Sequence, residues 1–416
     1  MEVVYPRCCG LDVHKKSISA CVVIRAGGKP QKLEQRFGTY TGQLEDLAEW
    51  LEQHQVTHVV MEATGVYWKP VWNVLEGRFE LLLVNPQHVK ALSGKKFDRG
   101  DAAHLADLLQ HGLLRGSYIP PPAIRQLRDL TRNRARTVQE AARIRNRIQK
   151  ILEEANLKWS SVATDALGVS GRLILQQVVG GEQDAVKLAD LARGRLRKKR
   201  DQLLLALAGK VTEHHRRMLD KLLRAVKTRE DEIAEDEKDI REAVEPFRQA
   251  VQAWMQEPGI DAVTAWSLVA EMGPDMAPFA TAEEAASWSC LCPGNHESAG
   301  KQANGRMRKG NPWLRSAICE AAWGAARTKN SYFHAQFNRI RARRGPQRAL
   351  MAVAHSMIVV GFYLIQYDQQ FRDLGADFFD RRNREHVMRR AVKRLNALGY
   401  RVTLEETPPE VLSGTA

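Results

Sequence analysis

CCGLDVHKKSISACVVI, residues 8–24, decides the fold class of the front of this chain. Two runs rich in Cys, Val and Ile flank one break, His14-Lys15-Lys16. That pattern predicts a strand, a tight turn and a second strand, closed by Gly27-Gly28. Working outward, Leu44, Leu47, Ala48 and Leu51 fall at helical spacing. His58-Val59-Val60-Met61 is a short apolar strand that runs into Glu62, and Val66 to Leu75 reads as a helix with Trp68 and Trp72 four apart, a core pair. Leu81 to Val84 is another buried strand, stopped by Asn85-Pro86, and Asp101 to Leu114 is a helix. Strands alternating with helices predict a layered α/β domain over residues 1–120, ending at Ile119-Pro120-Pro121-Pro122.

Beyond that break the pattern is helical. Residues 123–157 contain no Gly or Pro, and Arg132, Arg134, Arg136, Arg143, Arg145, Arg147 and Lys150 face one acid, Glu140. Solvated helices usually mix signs, so this series points to a polyanion. In a second run, 203–247, Leu219, Leu222, Val226, Ile233, Ile240, Val244 and Phe247 keep a coiled-coil register. Residues 121–250 therefore read as a basic helical and coiled-coil region for oligomerisation, 251–375 as a mostly helical domain, and 376–416 as a basic helical tail. Pro258-Gly259-Ile260 fits either a phosphate-facing helix hairpin or a purely structural turn. Residues 288–315 read as irregular, and the apolar helix from Pro346 to about Tyr367 reads as a core helix too short to span a membrane.

Composition narrows the function classes. The 416 residues are 44% hydrophobic and 27% charged, which excludes wholesale disorder. Six cysteines are too few for a disulfide framework, and the opening MEVVYPRCCGLDVHKK has no secretory pattern. A reduced, cytoplasmic protein with no membrane partner is expected. Lys+Arg 63 against Asp+Glu 49 leaves a net charge of +14. Residues 1–118 hold 14 Lys/Arg and 13 Asp/Glu, so nearly all the excess lies behind them. A polyanion is the expected partner, nucleic acid before membrane.

Two constellations carry chemistry. Asp12 lies inside an apolar strand, Glu62 ends another, and Asp98 and Asp101 stand one helical turn apart. Such a carboxylate set suits divalent cations that stabilise the attacking and leaving oxygens of a phosphodiester. Lys15, Lys16, Lys95, Lys96 and Arg99 beside it suit a phosphate substrate. The second constellation is Ser298, in a Gly-bounded loop at the head of the most basic segment, Lys301 to Arg348, which holds 12 Lys/Arg and the single acid Glu320. Lys301, Arg306, Arg308 and Lys309 could stabilise charge developing on phosphorus if the serine hydroxyl attacks. His296 and Glu297 are candidates for proton handling, or simply solvated loop residues.

The ordered set Gly10-Leu11-Asp12-Val13-His14-Lys15, Met61-Glu62-Ala63-Thr64-Gly65, Val84-Asn85-Pro86, Lys96-Phe97-Asp98-Arg99-Gly100-Asp101-Ala102, Pro258-Gly259-Ile260, Pro293 to Lys301, Arg308-Lys309-Gly310-Asn311 and Arg343-Arg344-Gly345 resembles the DEDD transposases of a large insertion-sequence class, related to Piv-type DNA invertases. The commoner Lys-Thr-Asp of the fourth block is Lys96-Phe97-Asp98 here, with the acid kept. The resemblance implies a RuvC/RNase H-like first domain with Asp12, Glu62, Asp98 and Asp101 as ligands of Mg²⁺, two per site, and a C-terminal domain with Ser298 as nucleophile. It implies a homo-oligomer, dimer or tetramer, in which one protomer's metal domain meets another's serine domain. It also implies a bridge (guide) RNA that pairs with donor and target double-stranded DNA. Lys15, Lys95, Lys96, Arg132, Arg136, Arg143, Arg147, Lys301, Arg306, Arg308, Lys309, Arg343 and Arg344 are then the expected nucleic-acid contacts. The competing readings are a hydrolytic RuvC-like nuclease in which Ser298 is incidental, an RNase H-like sugar kinase or ATPase, and a non-enzymatic RNA-binding scaffold. The distal basic charge disfavours the kinase.

Overall fold

The 8–24 stretch folds as the hairpin its sequence predicts: β1 (Arg7–Val13) runs antiparallel to β2 (Ile18–Ile24), with Asp12 opposite Ser19. The computed structural model describes residues 2–25, 29–93, 101–292, 296–298, 301–304 and 310–405, so Gly27-Gly28 lies outside the described residues. The chain divides into two units, Met1–Pro120 and Pro121–Ala416.

In the first unit, β3 (Gln31–Phe37) pairs antiparallel with β2, while β4 (His58–Glu62) and β5 (Glu80–Val84) add in parallel beyond β1. The sheet order is β3-β2-β1-β4-β5. β3 carries no apolar alternation, because an edge strand with only Phe37 buried can be charged along its length. The pleat sends Cys9, Leu11, Val13, Val59 and Met61 to one face, where α1 (Thr41–Gln53) and α2 (Trp68–Leu75) cover them. Cys8, Cys21, Val23, Val60 and Val84 go to the other face, packed with Val89 of α3 (Pro86–Ser93) and with Ala102, Leu105, Ala106 and Leu109 of α4 (Asp101–Gln110). Trp68 and Trp72 meet edge-to-face at 5.9 Å as part of the first core.

The second unit is built on two long helices, α5 (Pro122–Glu154) and α10 (Glu213–Val244). They lie antiparallel: Asn133 bonds Asp236, while Arg145 bonds Glu230. The seam residues Leu219, Leu222, Val226, Ile240 and Val244 are buried within the chain. The heptad register thus serves an intramolecular hairpin, because α5 presents a matching stripe of Ile124, Leu127, Ile148 and Leu152. Between these helices run α6 (Trp159–Val162), α7 (Val169–Val179), α8 (Ala185–Asp190) and α9 (Arg200–Leu207), which close a small core over one end of the hairpin. The expected run 203–247 is broken at residues 208–212, where Lys210 N–H donates to the Ala155 carbonyl.

The other end of the hairpin enters a larger core formed by α11 (Arg248–Met255), α12 (Ala262–Met272), α13 (Ala282–Trp288), α14 (Pro312–Arg327), α15 (Tyr332–Arg344) and α16 (Pro346–Gln366). With 21 residues, α16 is long and apolar enough to cross a membrane, contrary to the sequence expectation. Ala349, Val353, Ala354, Met357 and Ile358 instead fill this core. Gly259 (φ +89°) presses the Pro258-Gly259 turn on α14: an added Cβ would lie 2.4 Å from the Ala321 carbonyl. Residues 296–304, expected to be irregular, include two short strands, β6 (His296–Ser298) and β7 (Lys301–Asn304). The tail forms α17 (Phe378–Arg382) and the exposed basic helix α18 (Arg384–Ala397).

Candidate active site

Strand period places the acids. Asp12 follows Gly10, and Glu62 follows Val60, on the face that α4 covers. Leu11 pairs with Met61 across the parallel ladder, so Asp12 and Glu62 come next in the same register. Gly10 lets α4 lie directly on β1: a Cβ there would stand 2.1 Å from the Ala102 carbonyl. This close approach delivers Asp101, the first residue of α4, to the ends of the two strands. The carboxylate of Asp101 at a helix N-terminus is also favoured by the helix dipole.

Glu62 feels the other two acids. Glu62 is held above the usual carboxylate range by burial, then by the charges of Asp101 and Asp12, with Lys90 opposing. Asp12 Oδ2 lies 3.0 Å from His14 Nε2, and its side chain keeps 27% exposure. Asp12 and Asp101 line an open cavity of about 540 Å³, together with Ser19, Glu34 and Arg36. Lys15 is exposed in the β1–β2 turn. Asp98, Lys95 and Lys96 lie outside the described residues. Among the described residues no three His, Cys, Asp or Glu side chains stand close enough to hold one ion between them. The donor set nevertheless suits a hard divalent cation: carboxylate oxygens only, mutually repelling and open to a cavity. By contrast Cys8 and Cys21 in the same sheet are inert, their thiols pushed up to about 12 and about 11, mainly by burial.

In the second unit Ser298 ends β6, paired with Lys301 of β7 across an antiparallel hairpin. That hairpin lies between α13 and α14. Arg306, Arg308 and Lys309 lie outside the described residues. Arg343 and Arg344 are exposed in the last turn of α15. Along α5 the arginines divide. Arg143 and Arg147 are exposed, and the Arg136 guanidinium stands 5.3 Å over the Trp313 ring. Arg132 instead grips Glu271 through two hydrogen bonds, Nε at 2.7 Å and Nη2 at 2.8 Å. Arg134 bonds Glu237, and Arg145 shares Glu230 with Arg172. The acids missing from α5 are therefore supplied by α10 and α12, which a reading of one helix at a time cannot see.

Sequence reasoning also passed over Glu271 itself, 1% exposed near the end of an otherwise apolar helix. A lone acid in AVTAWSLVAEM, with Arg128, Arg132 and Arg136 at i, i+4 and i+8 on α5, was the available signal.

Two transposase family models match the chain. One, described as a transposase and specific to DEDD proteins of the IS110 type, covers residues 9–157, the acid-bearing unit and all of α5. The other, described as the transposase IS116/IS110/IS902 family, covers residues 251–338, from α11 through the Ser298 hairpin into α15. No curated protein matches the chain.

Proposed function

Because the chain belongs to the IS116/IS110/IS902 family of transposases and is therefore a DNA transposase, we propose that it exchanges DNA strands through Ser298, assisted by the acid cluster of its first unit. The observation that carries the metal half of this reading is geometric: Asp12 and Glu62 stand at the ends of adjacent parallel strands, with Asp101 at the head of α4. A RuvC/RNase H-like reading of the domain accords with its mixed five-stranded sheet and with acids on adjacent parallel strands.

Asp12, Glu62 and Asp101, with Asp98, would hold Mg²⁺, two ions per site. When bound, the cations supply charge stabilisation to the scissile phosphodiester. His14 orients the Asp12 carboxylate from the turn that also carries Lys15. The Ser298 hydroxyl oxygen bonds to phosphorus while a deoxyribose oxygen leaves and takes up a proton. The serine proton passes to a base or to water. Attack of another strand's hydroxyl on the phosphoserine restores a phosphodiester and returns Ser298, so no high-energy cofactor is consumed.

In the working assembly, a dimer or tetramer, the serine unit of one protomer serves the acid unit of another. A bridge RNA pairs with donor and target DNA, leaving the protein to hold backbone and shape. The exposed Arg143, Arg147, Arg343 and Arg344 and the basic tail helix suit that task, and Arg136 offers its guanidinium beside Trp313. Residues 121–250 then hold nucleic acid and residues 251–375 carry the serine chemistry.

The test is Ser298→Ala in the full chain, co-expressed with the DNA flanking its gene. Loss of cleavage and of a covalent protein–DNA adduct is expected, as is arrest of exchange by EDTA. Cleavage that persists without Ser298 would instead identify a hydrolytic nuclease.

A further inference from the structure

Glu271 is a charge in the wrong place unless something needs it. Burying a carboxylate costs several kcal/mol unless it is paired and hydrogen-bonded. Here every face is answered. Arg132 forks onto both oxygens, and Arg128 Nε lies 3.4 Å from Oε2. Arg128 also donates to the Ala270 and Glu271 carbonyls, which α12 leaves free at its C-terminus. The remaining donor is the Asn311 side-chain amide, onto Oε2.

Asn311 is occupied at both ends. Its Oδ1 accepts from the N–H groups of Trp313 and Leu314 and so caps α14. A flipped amide would aim its NH₂ at those donors and its oxygen at the Glu271 carboxylate. Only one orientation is therefore stable. The preceding residue, Gly310, lies against Cys290: an added Cβ would fall 2.5 Å from Cys290 Cβ and 2.9 Å from its Sγ. Ser289, buried next to Cys290, donates its hydroxyl to the Ala285 carbonyl of α13. The chain leaving α13 and the chain entering α14 thus touch at Cys290 and Gly310, and the Ser298 hairpin is strung between these points.

We infer that the Glu271–Asn311 contact, seated on Arg128 and Arg132, is the clasp that positions the Ser298 hairpin. Asn311 and Glu271 are positioning residues, with no contact to the reacting atoms required. The inference rests on Ser298 as the nucleophile. It makes the clasp the route by which α5 reaches the serine. Arg128 and Arg132 hold Glu271 from the helix that carries the exposed Arg143 and Arg147, and Arg136 stands over Trp313, two residues past Asn311.

The test uses the full-length protein with its co-purified RNA, acting on a plasmid that carries both element ends. Asn311→Asp keeps the cap on α14 but sets a second carboxylate against Glu271. Single-turnover cleavage should fall about 100-fold, the scale of a misplaced reacting group. Affinity for the plasmid DNA should stay within about threefold, since no phosphate-binding group is removed. The double variant Glu271→Gln/Asn311→Asp restores one donor and one acceptor and should recover most of the rate. Unchanged cleavage in Asn311→Asp, a loss that follows affinity, or no recovery in the double variant would overturn the clasp. Hydrogen exchange on the protein without DNA separates this from the serine reading. Faster exchange of the amides of 296–304 in Asn311→Asp supports the clasp whatever Ser298→Ala does, and unaltered exchange overturns it. Wild-type cleavage by Ser298→Ala overturns the clasp's catalytic consequence.

Discussion

Two groups of acids in this transposase are managed in opposite ways. Glu271 in the second unit is buried and fully answered by two arginines and an asparagine. In the first unit Glu62 is instead set against the charges of Asp101 and Asp12, opposed among the described residues by Lys90, while His14 stands beside Asp12. A folded chain that merely needed stability would have no use for the second arrangement. Local conflicts of this kind concentrate where function requires them. Glu271 is therefore read as architecture that serves the serine, and the trio as chemistry.

The largest test of the contrast is in the trio. Asp12→Asn, Glu62→Gln or Asp101→Asn should each lower strand cleavage by about 10³-fold or more, since each removes a candidate ligand for the charge-stabilising cations. Stability should move the other way. Glu62 is held above the usual range by burial and by its two acidic neighbours, so Glu62→Gln removes a repulsion at neutral pH. A thermal midpoint equal to or above wild type, measured with cleavage on the same preparation, is the expected pair of results. A midpoint that drops with the activity would mean that the trio is structural.

Glu271 should behave in reverse. Glu271→Ala leaves Arg128 and Arg132 without their carboxylate, and breaking a buried pair from one side costs up to about 3–5 kcal/mol. Urea unfolding of this variant should show that loss. Glu271→Gln keeps one acceptor and should lose less. Equal losses would show that the charge on Glu271 carries the whole contact and the remaining acceptor none of it, whereas a Glu271→Gln variant as stable as wild type would show that the charge does not matter.

Legibility followed the same divide. Asp12 and Glu62 could be found from sequence because an acid inside or ending an apolar strand breaks a period-2 pattern that depends on near neighbours. Asp101 was visible for a similar reason, as an acid opening a helix. The edge strand β3 and the partners of the α5 arginines were not legible in this way. A charged edge strand has no buried period to betray it. The acids that neutralise Arg132, Arg134 and Arg145 come from 139, 103 and 85 residues away in sequence. Leu219, Leu222, Val226, Ile240 and Val244 of the coiled-coil register are buried while Ile233 is only half-buried, and periodicity does not say whether the partner is another protomer or, as here, α5.

A buried acid of a third kind gives the smallest and cleanest effect. Glu257, between α11 and the Pro258-Gly259 turn, is 1% exposed, and neither carboxyl oxygen has a hydrogen-bond partner. Burial pushes its pKa well above the ordinary value, so the folded chain keeps it protonated. The unfolded chain releases that proton above about pH 4.3. Each further rise in pH therefore favours the unfolded state, until the folded carboxyl also ionises. The stability linked to Glu257 is complete in acid and shrinks toward neutrality. Glu257→Gln cannot ionise in either state and escapes this loss. Its thermal midpoint should match wild type near pH 4 and exceed it by a few degrees at pH 7 to 8. A constant offset across that range would indicate that packing of the larger amide, rather than ionisation, sets the difference.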